Sequence, residues 1–395
     1  MRERRRILIA GGGIAGLSAA LAAAEAGFSP EIFEQAGRIE EFGAGLQITP
    51  NASAALIRLG LGERLAERAY EPAHIHMITH AGRTLWSSPL GARFAEAWGH
   101  PYRVMHRADL IGILSDAVYD HPDISVRLNH RAEGFATHAH GVTLMAGSGG
   151  AMDDFHGAGL IGADGLRSVV RRWIVGDGDP KPSGYVAWRA LADASSARDP
   201  RLATDVCVWV GPRSHVVTYP LRRGSIINIV AVTEDTLEDP GWNAPAEPTL
   251  VIRRFVGWPP PLMDVMEAAP SWRRWNLADR RPAEAWGSGS VVLTGDAAHP
   301  VLPFAGQGAA LALEDAVTLG HHLATENSVG DAFAQFEKSR RKRAAAIWSF
   351  SRRNGFFYHT GGPLGVARDM TLRAMPTRLM LERQWWIYDW RPVGR

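Results

Sequence analysis

An apolar run of strand length, Arg6–Ala10 (RILIA), ends in Gly11-Gly12-Gly13-Ile14-Ala15-Gly16 and gives way to an Ala/Leu-rich stretch from Ile14 to Ala26. No other feature limits the fold so tightly. Gly11, Gly13 and Gly16 stand in the G-x-G-x-x-G spacing. The first glycine permits a tight turn after a strand, the second lets backbone approach a pyrophosphate, and the third lets helix and strand pack closely. Gly27 predicts a helix stop, and Glu31–Glu34 (EIFE) predicts a second strand. A β-α-β unit of this kind crosses over right-handed and builds a parallel sheet. Glu34, with Gln35 beside it, falls 21 residues after Gly13, near the spacing of an acid that holds a ribose. The exposed N–H groups of the first helical turn, around Ala15, suit phosphate. The unit predicts dinucleotide binding without choosing FAD over NAD.

The rest of the chain predicts an α/β domain interrupted by a mostly β insertion. Helices are expected over Ala52–Leu59 and Arg107–Tyr119, and a short strand over Leu160–Ala163. From about Lys181 to Ala285, strand-like runs lie between polar and Gly/Pro turns: Tyr185–Leu191, Val206–Val210, His215–Leu221 and Ile226–Val232. Their close spacing predicts an antiparallel sheet, to which Ala73–Trp86 adds strands. Ser290–Leu293 returns to a buried-strand pattern, followed by helices over Gln307–Ala324 and Asp331–Arg353. The tail beyond Gly365 is expected to be helical in places, and it carries Trp385, Trp386, Tyr388 and Trp390. The segments are therefore 1–72, 98–180 and 286–355 for the nucleotide domain, 73–97 and 181–285 for the inserted sheet, and 356–395 for the tail.

Composition removes other classes. The 395 residues include 43 Lys plus Arg against 41 Asp plus Glu, a net charge of +2. That balance argues against nucleic acid as the main partner. Cys207 is the one cysteine, so no internal disulfide forms, and no Cys-rich metal pattern exists. No metal site is read, and a reducing cytoplasm fits. The basic Met1–Arg6 and uncharged Ile7–Ala24 have the outline of a leader or short anchor. Gly11–Gly13 in their midst favour a strand, a turn and a helix instead, and no stable membrane association is expected.

Later segments make the choice of cofactor. Gly162-Ala163-Asp164-Gly165-Leu166-Arg167-Ser168 closes a strand with an Asp-Gly turn. Gly295-Asp296-Ala297-Ala298-His299-Pro300 is followed by Pro303 and by Gly306-Gln307-Gly308-Ala309. His106-Arg107-Ala108-Asp109-Leu110 places an arginine at a helix start, and Gly43-Ala44-Gly45-Leu46-Gln47 precedes Pro50-Asn51. Together they resemble the class A flavoprotein monooxygenases, the family of p-hydroxybenzoate hydroxylase, salicylate hydroxylase and 6-hydroxynicotinate 3-monooxygenase. The resemblance runs from Arg6 to about Arg353 and is weakest in the insertion and the tail.

The resemblance implies a Rossmann-like FAD-binding domain, an inserted, mostly antiparallel substrate sheet and a C-terminal helical segment. It implies NADH or NADPH and O2 as co-substrates and a small aromatic substrate, hydroxylated through a flavin C4a-hydroperoxide. It places Asp164 and Arg107 near the nucleotide, Asp296 at the ribityl chain, Gln47 along the isoalloxazine, and the N–H groups of Gly308 and Ala309 at the flavin's N1–C2=O edge. Pro303 is implied near the reacting ring. On the strand His215–Pro220, alternation sets His215, Val217 and Tyr219 on one face and Val216 and Thr218 on the other. His215 suits proton exchange near neutral pH, and Tyr219 suits donation to a substrate oxygen. His299 suits a structural place beside the flavin loop as well as a basic one. Pro303 and Phe304 are both nonpolar where relatives carry polar groups, which leaves a simple hydroxybenzoate in doubt. A flavin oxidase or reductase and a non-catalytic flavin sensor remain as alternatives, and the chain is expected to be a monomer or homodimer.

Overall fold

The computed structural model describes residues 5–39, 45–235, 242–376 and 385–393. Two sheets organise it. The first has six strands in the order Gly287–Ser288, Val291–Leu293, Gly159–Gly162, Arg6–Ala10, Ser29–Phe33, Ser125–Arg127. All of its pairings are parallel except that between Gly287–Ser288 and Val291–Leu293. The strand Arg6–Ala10 is buried along Ile7–Ala10, as a central parallel strand covered on both faces must be. Helix Ile14–Glu25 packs on this sheet and against helices Arg107–Tyr119 and Gly308–Thr325.

The second sheet has eight strands in the order Trp242–Ala246, Trp272–Asp279, Lys181–Asp193, Ile226–Glu234, Ser214–Leu221, Val206–Gly211, His74–Thr79, Thr84–Pro89. Only Val206–Gly211 and His74–Thr79 pair parallel. One face of this sheet buries Ile229, Trp209 and Val216 against helices Pro248–Ile252 and Pro260–Ala268. The other face holds Val208 and Tyr219 in a separate apolar cluster that includes Phe94 and Tyr102. The alternation predicted for His215–Pro220 is thus realised, with Val216 and Tyr219 in different clusters.

Element boundaries differ in instructive places. The second strand runs Ser29–Phe33, so Glu34 stands just beyond its end rather than within it. The long helix spans Val329–His359, past the predicted Arg353, and a further helix covers Gly362–Ala374. An antiparallel sheet of Arg131–His138, Gly141–Ser148 and Ala151–Gly157 went unpredicted. Its hairpin turn uses Gly149 and Gly150 at φ 61° and 93°, the left-handed pair that a tight two-residue turn needs. Those two glycines, between alternating runs, were the available signal. Gly43 and Ala44 lie outside the described residues.

Candidate active site

The two glycine-rich loops, nearly three hundred residues apart in sequence, meet in space. Gly295 adopts φ 58°, and a Cβ there would lie 2.8 Å from the Cβ of Ala15. Gly11, at φ 106°, has no room for a side chain either, because a Cβ would sit 2.4 Å from the Ala163 carbonyl oxygen. A Cβ on Gly16 would fall 1.9 Å from the Gly11 oxygen, so the helix start rests directly on the loop. Gly13 is different: open space surrounds the place where its Cβ would be. Helix Ile14–Glu25 begins there without a side-chain cap. Its first N–H groups thus face an open cleft, the arrangement that receives an anion.

Glu34 closes one end of this cleft. Its carboxylate accepts the Gly12 N–H at 2.7 Å and the Ala36 N–H at 2.8 Å. Gln35 is exposed in the turn that follows. Arg107 and Asp296 lie toward the other end and feel each other's charge. Burial lowers the Arg107 pKa to about 10, and Arg189 nearby adds to this, while Asp296 opposes it. The Asp296 side chain is open along the cleft yet crowded by protein around it. That crowding raises its carboxyl, against the pull of Arg107 and His299. Helix Gly308–Thr325 also starts without a side-chain cap, leaving N–H groups at Gly308 and Ala309. Gln47 packs on the same turn: a Cβ on Gly306, at φ 62°, would lie 2.1 Å from its Oε1. Asp164 is committed locally. It accepts N–H bonds from Val169 at 2.7 Å and Val170 at 3.2 Å, holding the start of helix Val169–Ile174.

Beneath the Asp296 loop lies a buried ionic network that sequence reasoning missed. Asp315 accepts from His299 Nε2 at 2.5 Å, from Gly295 N–H at 3.1 Å and from Arg340 Nε at 2.7 Å. Burial alone would raise its pKa, but His299 and Arg340 hold it down at about 2. Glu314 receives Arg343 and Asn51, and Asn51 also reaches Gln307 at 2.9 Å. His299 is therefore a strut of the loop. Burying several charges is unfavourable unless each is paired, and here the pairing fixes the turn that carries Asp296. Glu314 and Asp315 sit within a helical run of otherwise apolar residues, which was the one signal present.

A second cavity, of about 110 Å³, opens beyond Gln47 and the Pro303–Gly306 turn. His215, Val217, Pro303, Phe304, Asn354 and Tyr358 line it. The long helix shapes this wall. Asn354 donates to the Phe304 oxygen at 3.1 Å, and Ser351 donates to the Leu302 oxygen at 2.5 Å. Gly355 leaves room for the Phe304 ring, since a Cβ there would lie 2.6 Å from it. Phe304 stands edge-on to Tyr185 and to His215, at 5.1 and 5.4 Å between centroids. Tyr388 and Ile387 from the tail also line the cavity, and Trp386 packs edge-on to Phe350. Burial, then His359, lowers the His215 pKa well below its ordinary value. Burial lifts Tyr358 to about 12.

Pro303 and His215 are thus brought together, with Gln47 at the border toward the nucleotide cleft. Tyr219 is not part of this lining. It is buried behind it, against Gly45, and burial raises its pKa so that it stays protonated. His359, Tyr358 and Asn354 were missed, because nothing local in the sequence ties the end of a long helix to a strand some 140 residues earlier. His76 and Asp205 form another buried pair, 2.9 Å apart, with His74 alongside.

The donor set fits FAD: uncapped helix starts at both glycine-rich loops, a carboxylate at each end, and glycines where side chains would block the floor. Such a cleft, joined to an aromatic-rich cavity under a mixed sheet, defines the class of FAD-dependent hydroxylases. The chain belongs to the FAD binding domain family, whose model matches residues 4–351. Among relatives, it is 36% identical to 3-hydroxybenzoate 6-hydroxylase of Klebsiella oxytoca, over 99% of this chain and 98% of that one. It is 35% identical to 3-amino-4-hydroxybenzoate 2-monooxygenase PtnB3 of Streptomyces platensis, with the same coverage. Among solved structures, HpxO of Klebsiella pneumoniae with FAD and uric acid superposes with a TM-score of 0.86 at 25% identity, covering 99% of this chain and 98% of that chain. A salicylate hydroxylase substrate complex gives 0.83 at 27% identity, covering 99% and 96%. The protein is a class A flavoprotein monooxygenase. No helix among the described residues is long and apolar enough to cross a membrane.

Proposed function

We propose that this enzyme hydroxylates a small aromatic ring that already bears a hydroxyl group, using NADH or NADPH and O2. The observation that carries the reading is the aromatic-rich cavity at the Pro303–Gly306 turn, where the neutral imidazole of His215 lines the wall and the other lining histidine, His76, is engaged by Asp205. FAD, when bound, accepts reducing equivalents from the nicotinamide and supplies the oxygen-transfer chemistry. Glu34 would hold the adenosine ribose, the Gly11–Gly16 helix start the pyrophosphate, and Asp296 the ribityl chain. Arg107 adds positive charge beside Asp296, and the Gly308 and Ala309 N–H groups favour negative charge on the reduced flavin edge. His215 accepts the ring hydroxyl's proton, which makes the ring electron-rich. Phe304, Tyr358 and the tail residue Ile387 keep water away from the reacting centre.

The ring itself follows from the lining. The described lining residues include no Lys or Arg, and burying a carboxylate without a cation is costly. An uncharged phenol therefore fits better than the hydroxybenzoates named for the relatives. The test compares 3-hydroxybenzoate with 3-methylphenol as stimulators of NADH and NADPH oxidation, under isotopically labelled O2. Label in the product, with the phenol ahead of the benzoate, is expected. Nicotinamide oxidation with hydrogen peroxide and no labelled product from either ring would show that neither is the substrate and would overturn the phenol reading.

A further inference from the structure

The imidazole in the cavity wall does not stand alone. Nδ1 of His215 lies 2.7 Å from Nε2 of His359. Nδ1 of His359 lies 3.4 Å from Oε1 of Glu234. The last contact is longer than an ordinary hydrogen bond and is the loose link of the series. Exposure rises along it: the His359 side chain is 2% exposed and that of Glu234 is 34%. The three groups lead from the cavity wall to solvent.

We propose that His215, His359 and Glu234 form a relay that carries the ring hydroxyl's proton out of the cavity. The proposal rests on the aromatic-hydroxylase reading above. Its direction follows from chemistry. An ionised Glu234 only accepts, so His359 carries its proton on Nδ1 and offers a lone pair at Nε2. His215 then donates from Nδ1, and its Nε2 is left as an acceptor for the cavity. When the ring O–H bond breaks, the oxygen keeps the electron pair and the proton bonds to His215 Nε2. The Nδ1 proton of His215 passes to His359, and the Nδ1 proton of His359 passes to Glu234. Glu234 releases it to water, and both rings return by tautomer exchange. Neither ring stores the charge, in keeping with burial that holds both toward the neutral form.

The surroundings hold the series in register. Arg213 pairs its Nε with Glu234 Oε2 at 3.1 Å. The Arg213 N–H donates to the His359 oxygen and the Glu234 N–H donates to the Arg213 oxygen, both at 2.9 Å. Strand and helix ends are thus clamped through one turn residue, Arg213, at φ 56°. The other titratable or charged groups around the pair are Tyr185, 5.2 Å from the His359 ring, Tyr358, 5.2 Å from the His215 ring, Arg352, near Tyr185, and Arg368, which donates to the Tyr358 and Thr360 oxygens at 3.2 Å.

The test uses the FAD-loaded enzyme with 4-nitrophenol, whose ionisation is read by its own absorbance after a pH jump. Glu234→Gln and His359→Gln are expected to slow proton release by about tenfold or more, with binding of 4-nitrophenol little changed. Imidazole added to the buffer should restore the rate in Glu234→Gln. Wild-type rates in both relay variants overturn the relay and leave the aromatic reading intact. A slow Glu234→Gln enzyme that imidazole does not rescue makes Glu234 a positioning residue and likewise overturns it. Failure of both 4-nitrophenol and 3-methylphenol to bind removes the uncharged-phenol reading, and the relay with it.

Discussion

The nucleotide cleft and the aromatic cavity share the turn at Pro303–Gly306, yet they are built from opposite materials. The cleft is made of backbone: glycines, uncapped helix starts and two carboxylates, stiffened from below by buried ion pairs. The cavity is made of side chains, apolar and aromatic for the most part, with His215 and the His359 behind it held toward neutral. A cofactor of constant shape is met by fixed donors and charge. A reacting ring is met by a largely apolar, low-dielectric wall in which His215 stands beside the Pro303–Gly306 turn. The difference teaches that charge is concentrated beneath the cofactor and kept out of the reaction chamber.

Four experiments would break or sharpen that contrast. The largest effect is expected on the cofactor side. Asp315→Asn removes a buried partner of Arg340 and should cost about 3 kcal/mol of stability. Thermal unfolding with and without FAD would reveal it, and an unchanged melting temperature would show that the ionic floor is dispensable. On the cavity side, His215→Gln should lower the hydroxylation rate by roughly a hundredfold while leaving flavin content unchanged. Product-coupled steady-state kinetics read this, and a loss of flavin instead would blur the division between the two regions.

Gly355→Ala adds a methyl group 2.6 Å from the Phe304 ring. Overpacking of that kind costs about 1–3 kcal/mol, and displacement of Phe304 should uncouple nicotinamide oxidation from hydroxylation. Hydrogen peroxide yield per nicotinamide consumed is the measure.

Acid should separate the regions with the smallest perturbation. The His359 pKa is lowered from 6.5 to about 4, chiefly by burial. Its contribution to stability is present above 6.5 and is lost as pH falls through about 4. The Asp315 pKa is lowered from 3.8 to about 2, so its contribution persists to more acidic solution and is lost only as pH falls through about 2. Phenol binding should therefore fail at a higher pH than flavin retention. Simultaneous loss of both would mean that the two regions unfold as one.

The two regions also differed in how much could be read before the fold was known. Gly11, Gly13 and Gly16 announced the pyrophosphate loop through their spacing alone, because a glycine requirement at a tight turn is local. Asp296, Gly308 and Ala309 were named through the resemblance of their motif. Pro303 and the facing of His215 could be assigned from a motif and from strand alternation. His359, Tyr358 and Asn354 could not, since a long helix presents many residues and its neighbours are chosen elsewhere. Asp164 shows the converse: its motif was plain, but its carboxylate serves a helix start.

The sequence by itself determined the nucleotide-binding unit and the order of strand-rich and helical segments, because each depends on short spacings and backbone conformation; the class of chemistry came through the resemblance its motifs carry. Only the tertiary structure decided that His215 meets His359, that Asp315 props the Asp296 loop and that the tail lines the cavity. Those contacts join residues far apart in the chain, and their partners are selected by packing, which no local pattern encodes.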